Sequence, residues 1–175
     1  LLAALLFAAA NEMFGAAAAF LALGLFVFEP TILAHGAVVT TDMAVTLGLF
    51  AAVYAFYRYV KRPTLLRLLL TGLAAGLALA AKHSGILVFP ILFLLALSEV
   101  VRGGQPSSAS HPEIAPASRG QLALRLTAAL AAIAIVAVTV LWSFYGFRYA
   151  AKPAGQAMVP PLAQFIQGGD HPLGA

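Results

Sequence analysis

The residues of this chain that could do chemistry lie at two short polar interruptions in an otherwise apolar sequence. Asp42 stands in the run Thr-Thr-Asp-Met, and His35 precedes it by seven residues. Lys82 and His83 follow a long apolar stretch. A carboxylate can accept a proton or bind a metal ion, and a lysine ammonium can neutralise a phosphate. These four side chains are therefore the candidates for catalysis and substrate binding.

Each candidate also has an ordinary structural interpretation. An aspartate is favourable in the first turn of a helix, and a lysine near the end of a membrane span extends its ammonium towards the interface. Were His35 and Asp42 on one helix, their seven-residue spacing would separate them by about 10 Å along its axis, too far to ligate one metal ion easily. A break in the helix could still bring them together. From the residues alone, both interpretations remain open.

Composition decides the class of protein that must position these residues. The chain has 175 residues, of which 62% are hydrophobic and 9% are charged, and its mean hydropathy is +0.97. Soluble domains carry roughly 25% charged residues, so the sequence predicts an all-α, polytopic transmembrane helical bundle. The absence of cysteine excludes disulfides and thiol nucleophiles. The basic residues are scattered among apolar runs, which argues against nucleic acid as a partner.

Apolar segments of near-spanning length predict the membrane helices, since a bilayer core of roughly 30 Å needs about 20 residues. The predicted apolar segments are residues 1–10, 13–28, 43–57, 68–81, 86–101 and 122–142. We expect residues 102–121 to form a flexible cytoplasmic loop and residues 143–175 an outer-face loop. Residues 1–175 are then a single transmembrane domain, which we expect to be a piece of a longer protein.

Basic residues predict the orientation of these spans. Alternating the spans puts seven Lys and Arg residues, from Arg58 to Arg125, on one side and three on the other. Positive charge is enriched on the cytoplasmic side of membrane proteins. Asp42, Lys82 and both candidate histidines should therefore lie on the outer face. Glu12 should lie near a cytoplasmic end and be solvated.

Three stretches of the sequence carry a family resemblance. They are residues 29–43 (EPTILAHGAVVTTDM), 72–85 (GLAAGLALAAKHSG) and 142–149 (WSFYGFRY). In this order they resemble bacterial members of the protein O-mannosyltransferase and aminoarabinose transferase superfamily. These are family 39, lipid-carrier-dependent glycosyltransferases with the GT-C fold. The resemblance covers most of the chain.

The resemblance implies an integral membrane enzyme, placed in the bacterial inner membrane with its active face outward. It would move a sugar, with inversion, from a polyprenyl-phosphate carrier to a protein, lipid or glycan acceptor. Asp42 matches the family's second acidic position, which would orient the acceptor or bind a divalent metal. Lys82 matches the lysine that could neutralise the carrier phosphate, and His35 and His83 are further substrate-binding candidates. The family's leading acidic residue would lie upstream of Leu1.

A different class of function is compatible with the same polar residues. In a multi-pass transporter or flippase, Asp42 and Lys82 would line the path of a lipid-linked or polar substrate. Their predicted position at one face, rather than at mid-membrane, favours the transferase.

Overall fold

The described part of the chain is helical throughout. The computed structural model describes residues 1–37, 41–103 and 118–147. Its helices are α1 (Leu2–Phe14), α2 (Ala16–Phe28), α3 (Pro30–Ala37), α4 (Thr41–Lys61), α5 (Leu65–Ala81), α6 (Val88–Arg102) and α7 (Arg119–Phe144), with a 3-10 turn at His83–Leu87 before α6. The predicted all-α fold class is confirmed for these ranges.

Several of these helices are suited to crossing a membrane. Three described segments are long and apolar enough: Thr41–Lys61, His83–Arg102 and Arg119–Phe144. A fourth is counted if α2 and α3, which are bent by 63° at a short break, form one span. Helix α5 is shorter, but it packs between α4 and α7. The polytopic architecture predicted from composition is therefore supported.

Close packing of α5 on α7 depends on two glycines. A Cβ placed on Gly72 would lie 2.6 Å from Val136 Cβ, and one placed on Gly76 would lie 2.6 Å from Val140 Cβ. Small residues four apart let two membrane helices approach closely. The pairing of both positions with residues that also advance by four shows that α5 and α7 run parallel. The four-residue spacing of Gly72 and Gly76 in the sequence predicts this helix-packing role, and the structure confirms it.

The first helical hairpin breaks at a different residue from the predicted one. Asn11 and Glu12 separate the predicted apolar segments 1–10 and 13–28, so the sequence predicts a break there, but α1 continues through both to Phe14. The break is at Gly15, whose φ of +89° is rarely adopted by residues with a side chain. Helix α2 then folds back against α1, with the rings of Phe7 and Phe20 5.2 Å apart.

The α4–α5 connection is shorter than predicted, since the predicted apolar segments 43–57 and 68–81 leave residues 58–67 between them. Arg58 is part of α4, and Arg67 is part of α5. The guanidinium of Arg67 donates to the backbone carbonyls of Arg58, at 2.7 Å, and Arg62, at 3.0 Å. The Arg58 carbonyl also accepts from the backbone N–H of Arg62 at 3.1 Å. By donating to the carbonyls at the end of α4 from within α5, Arg67 closes the hairpin.

The observed bounds of α7 make both predicted loops, 102–121 and 143–175, shorter than expected. Helix α7 begins at Arg119, because Ser118 and Gln121 form a reciprocal capping box. Residues 119–121 are therefore helical, although they were assigned to the loop 102–121. Residues 143 and 144, which were assigned to the outer loop, belong to the end of α7. The remaining residues of these predicted loops that lie in 104–117 and 148–175 fall outside the described ranges.

The α4–α5 hairpin has two chemically distinct ends. Arg58, Arg62 and Arg67 lie at one end, which we call the basic end, and Asp42 and Lys82 lie at the other. Helix α7 runs parallel to α5 and starts with an arginine, so its first residue lies at the basic end too. This is the grouping that the alternation of spans predicted.

Candidate active site

The candidate site is built around an ion pair between the start of α4 and the end of α5. The ammonium of Lys82 donates a hydrogen bond to Oδ1 of Asp42. The two residues are 40 positions apart in the chain. Their side chains are 45% and 41% exposed, respectively. The two strongest sequence candidates are therefore in direct contact, and both remain accessible to a ligand.

Helix geometry favours each charge where it lies. Asp42 is in the first turn of α4, as the structural interpretation of this residue predicted. Lys82 is the residue that directly follows α5. The amino-terminal end of a helix carries partial positive charge and the carboxyl-terminal end partial negative charge. Asp42 and Lys82 complement these ends, so the pair is supported by the backbone as well as by its own attraction.

A close crossing of α4 and α5 sets the separation of the two charged residues. A Cβ placed on Gly48 would lie 2.9 Å from the Cβ of Ala78, so the helices touch almost backbone to backbone there. Asp42 precedes Gly48 by six residues, and Lys82 follows Ala78 by four. In antiparallel helices these are offsets of about 9 Å and 6 Å in the same direction from the crossing. The two side chains consequently meet just beyond it.

The turn after α5 fixes the backbone of Lys82. The N–H of Lys82 donates to the carbonyl of Ala78 at 3.2 Å, and the N–H of Gly85 donates to the carbonyl of Lys82 at 2.8 Å. A Cβ on Gly85 would lie 2.2 Å from the Ala78 carbonyl oxygen. The absence of a side chain at Gly85 permits this close approach of another backbone segment. In the structure it is the backbone of α5 itself that approaches.

His35 joins the cluster from α3. Its Nδ1 lies 4.0 Å from Oδ2 of Asp42, and its side chain is 49% exposed. His35 lies in α3 and Asp42 in α4, and their contact is much closer than the separation of about 10 Å expected along the axis of a single helix. Proline at the start of α3 and the 63° bend from α2 redirect the chain towards the site. Residues 38–40, which connect the two helices, lie outside the described residues.

His83 does not join this cluster. It begins the 3-10 turn and is exposed. Its side chain makes no hydrogen bond or ion pair with any other residue in the described ranges. The assignment of His83 to substrate binding therefore rests only on its being next to Lys82.

The described residues do not form a metal site by themselves. No group of three or more His, Cys, Asp or Glu side chains suited to a metal ion occurs within residues 1–37, 41–103 and 118–147. Asp42 and His35 offer two potential ligands, but the ammonium of Lys82 occupies one oxygen of Asp42 and would repel a divalent cation. The metal role considered for Asp42 therefore stays a prediction.

Sequence reasoning missed a second polar cluster at the basic end. The hydroxyl of Tyr54 donates to Oε2 of Glu12, and the Arg58 guanidinium lies 3.4 Å from the same oxygen. Glu12 was expected to be only solvated, whereas it links α1 to α4. The available signal was the four-residue spacing of Tyr54 and Arg58, which puts both on one helix face. Nothing in the sequence indicated which acidic residue would meet them.

The sequence profile of the dolichyl-phosphate-mannose-protein mannosyltransferase family matches residues 1–107. The chain belongs to this family. The match supports a membrane glycosyltransferase of the mannosyltransferase type and confirms the GT-C resemblance seen in the sequence. It also contains His35, Asp42 and Lys82. No curated protein and no solved structure matched the chain significantly.

Proposed function

We propose that the chain forms part of an inverting glycosyltransferase that uses a polyprenyl-phosphate-linked sugar as donor. The acceptor is a protein, lipid or glycan. The observation that carries this proposal is the exposed ion pair of Asp42 and Lys82, which lies inside the family match. It provides an anion and a cation at one open site, and transfer from a sugar phosphate uses both kinds of charge.

Lys82 is proposed to bind the donor phosphate. As the carbon–oxygen bond to the carrier breaks, negative charge increases on the departing phosphate, and a fixed ammonium stabilises that charge. In the structure this ammonium is already paired with Asp42, so the donor must compete with a carboxylate for it. Donor binding thus loosens the ion pair and frees one oxygen of Asp42.

Asp42 is proposed to orient the acceptor through the carboxylate that donor binding frees. Inversion requires the acceptor to attack the anomeric carbon from the face opposite the phosphate, while a base removes its proton. The family resemblance puts the leading acidic residue, the candidate for that base, upstream of Leu1. Asp42 then holds the acceptor hydroxyl, and His35, 4.0 Å away, supports the carboxylate.

The proposed location is the inner membrane of a bacterium, with the site on its outer face. The basic end of the α4–α5 hairpin and the ion pair lie at opposite ends of the two helices. Positive charge is enriched on the cytoplasmic side, which favours an outward-facing pair. This is also the face on which the family resemblance implies transfer from a polyprenyl carrier.

The transporter alternative receives less support. An ionisable residue that lines a transport path is expected within the span. Asp42 and Lys82 instead lie at the terminus of one helix and directly after another. The family match is to a transferase as well.

The decisive experiment compares two charge-removing variants in the full-length protein. Asp42→Asn should lower kcat for sugar transfer by about 100-fold or more, the range of a lost proton-transfer or acceptor-orienting group. Lys82→Met keeps an apolar side chain but removes the charge. It should raise KM for the polyprenyl-phosphate sugar by roughly 10- to 150-fold, as for a lost charge-assisted contact. Transfer is measured in nanodiscs with saturating acceptor.

Glu99→Gln provides the matched control, because it removes one carboxylate near the end of α6. It should leave both kinetic constants unchanged. Lys82→Arg should retain part of the donor affinity, since the charge persists while its geometry changes. Wild-type kcat and KM in Asp42→Asn and Lys82→Met would reduce the pair to a structural contact and overturn the proposal.

A further inference from the structure

An apolar cleft opens between α1 and α4 on the side towards the basic end. Its volume is about 140 Å³. The residues that line it are Ala9, Met13, Phe50, Val53, Tyr54 and Tyr57. Their exposed surface in the cleft is apolar, so the cleft is suited to a stretch of hydrocarbon and not to a sugar or a nucleotide.

Two cations lie on the aromatic rings of this cleft. The ammonium of Lys61 lies 4.4 Å from the centroid of the Tyr57 ring. The guanidinium of Arg58 lies 5.7 Å from the centroid of the Tyr54 ring. Each distance is within the range of a cation–π contact. The positive charges therefore lie beside the apolar cleft, because Tyr54 and Tyr57 both line the cleft and contact the cations.

Two basic residues at this end of α4 have no carboxylate partner among the described residues. Glu12 pairs with Arg58 and accepts a hydrogen bond from Tyr54. Neither Lys61 nor Arg62 has a carboxylate partner within residues 1–37, 41–103 and 118–147, and both are exposed. A ligand that meets these two side chains should therefore carry negative charge.

We propose that this cleft binds an anionic phospholipid from the surrounding leaflet. Part of an acyl chain occupies the cleft between α1 and α4, and the phosphodiester contacts Lys61 and Arg62. The acyl chain of a zwitterionic lipid would fill the same cleft, but the cation of its headgroup would be repelled by Lys61 and Arg62. Basic clusters at membrane depth recognise anionic headgroups in this way. The site is at the opposite end of α4 from Asp42, so the inference does not depend on the proposed enzymatic function.

The test measures lipid affinity of the purified full-length protein by native mass spectrometry. The probes are phosphatidylglycerol and phosphatidylcholine with identical acyl chains. Phosphatidylglycerol should bind more tightly. Lys61→Gln should weaken it about five-fold, since a cation near anionic lipid contributes an effect of about that size. Arg125→Gln removes an exposed cation from α7, a helix that packs on α5 and α6, and it should change nothing.

A second pair of measurements tests the apolar half of the site. Val53→Phe fills part of the cleft without altering charge, and it should weaken phosphatidylglycerol while leaving the helical circular dichroism intact. Free glycerol phosphate, which has the charge but no acyl chain, should bind far more weakly than the lipid. Equal affinity for the two lipids, or binding of glycerol phosphate as tight as that of phosphatidylglycerol, would overturn the proposal. So would a lipid-independent dimer that Val53→Phe disrupts, because the cleft would then accommodate a second copy.

Discussion

Asp42 and Lys82 close one end of the α4–α5 hairpin through an ion pair, 40 residues apart in sequence. Arg67 closes the opposite end by donating to the carbonyl of Arg58 in the last turn of α4 and to that of Arg62 just after it. The first contact joins two partly exposed side chains. The second is made to backbone carbonyl groups, which are present whatever the side chains are. This difference suggests that only the ion pair is available to exchange partners with a ligand.

A double-mutant cycle on the ion pair should separate structure from function. Asp42→Asn, Lys82→Met and the double variant should show a coupling of no more than about five-fold in the unfolding equilibrium, because exposed ion pairs contribute little to stability. The same cycle measured on kcat/KM should be strongly non-additive, since both residues serve one reaction. Coupling that is large in unfolding and absent in kinetics would contradict this expectation. Unfolding is followed by denaturant titration in detergent.

Gly85→Ala should damage donor binding without touching a charged residue. The new Cβ would lie 2.2 Å from the carbonyl oxygen of Ala78, so the turn must move and take the backbone of Lys82 with it. We expect a higher KM for the donor and a loss of stability of about 1–3 kcal/mol, typical of an overpacked site. Gly24→Ala is the control, because nothing lies within 4 Å of its Cβ position. A wild-type KM for Gly85→Ala would show that Lys82 is positioned by other contacts.

Gly76→Val should separate α5 from α7. A Cβ on residue 76 would already lie 2.6 Å from the Cβ of Val140 and 2.8 Å from the carbonyl oxygen of Ala137. The backbone of Ala137 cannot move aside as easily as a flexible side chain can. The expected cost is about 1–3 kcal/mol or more, measured as a lower thermal midpoint. Gly24→Val introduces the same side chain where space is open. An unchanged midpoint for Gly76→Val would mean that the two helices pack less closely than the structure indicates.

Accessibility to a membrane-impermeant thiol reagent should establish orientation. The chain has no cysteine, so each introduced cysteine adds a single site within it. Ala37→Cys and Ser84→Cys should react from outside intact cells, whereas Ser108→Cys should react only after permeabilisation. Labelling of Ser108→Cys from outside would reverse the proposed orientation and remove the outer-face argument for the enzyme.

Patterns that act locally were predictable from the sequence. The four-residue spacing of Gly72 and Gly76 predicts close helix packing because it presents one small stripe to a neighbour. Apolar length predicts the spans because the bilayer imposes a minimum. The placement of Asp42 and Lys82 on one face followed from alternating the direction of the spans.

Features that depend on where two helices cross were not predictable in the same way. The direct contact of Asp42 with Lys82 requires α4 and α5 to cross at Gly48 and Ala78. The sequences of these two helices are compatible with many other crossing points. The link from Glu12 to α4 has the same origin. Asn11 and Glu12 were wrongly expected to end α1, because a polar pair in an apolar run does not reveal whether a neighbouring helix supplies its partners.

The doubly closed hairpin has a consequence for how the protein enters the membrane. All the contacts that hold α4 to α5 at its two ends arise within residues 42–82, so the hairpin can pair once Lys82 has left the ribosome. In the proposed orientation, the translocon must carry a carboxylate and an ammonium across the bilayer. If they are already joined, they cross as one neutral unit, and the desolvation penalty that opposes insertion of each separate charge falls. Pairing would then help α4 and α5 to insert together, before the sugar donor or any later helix is involved.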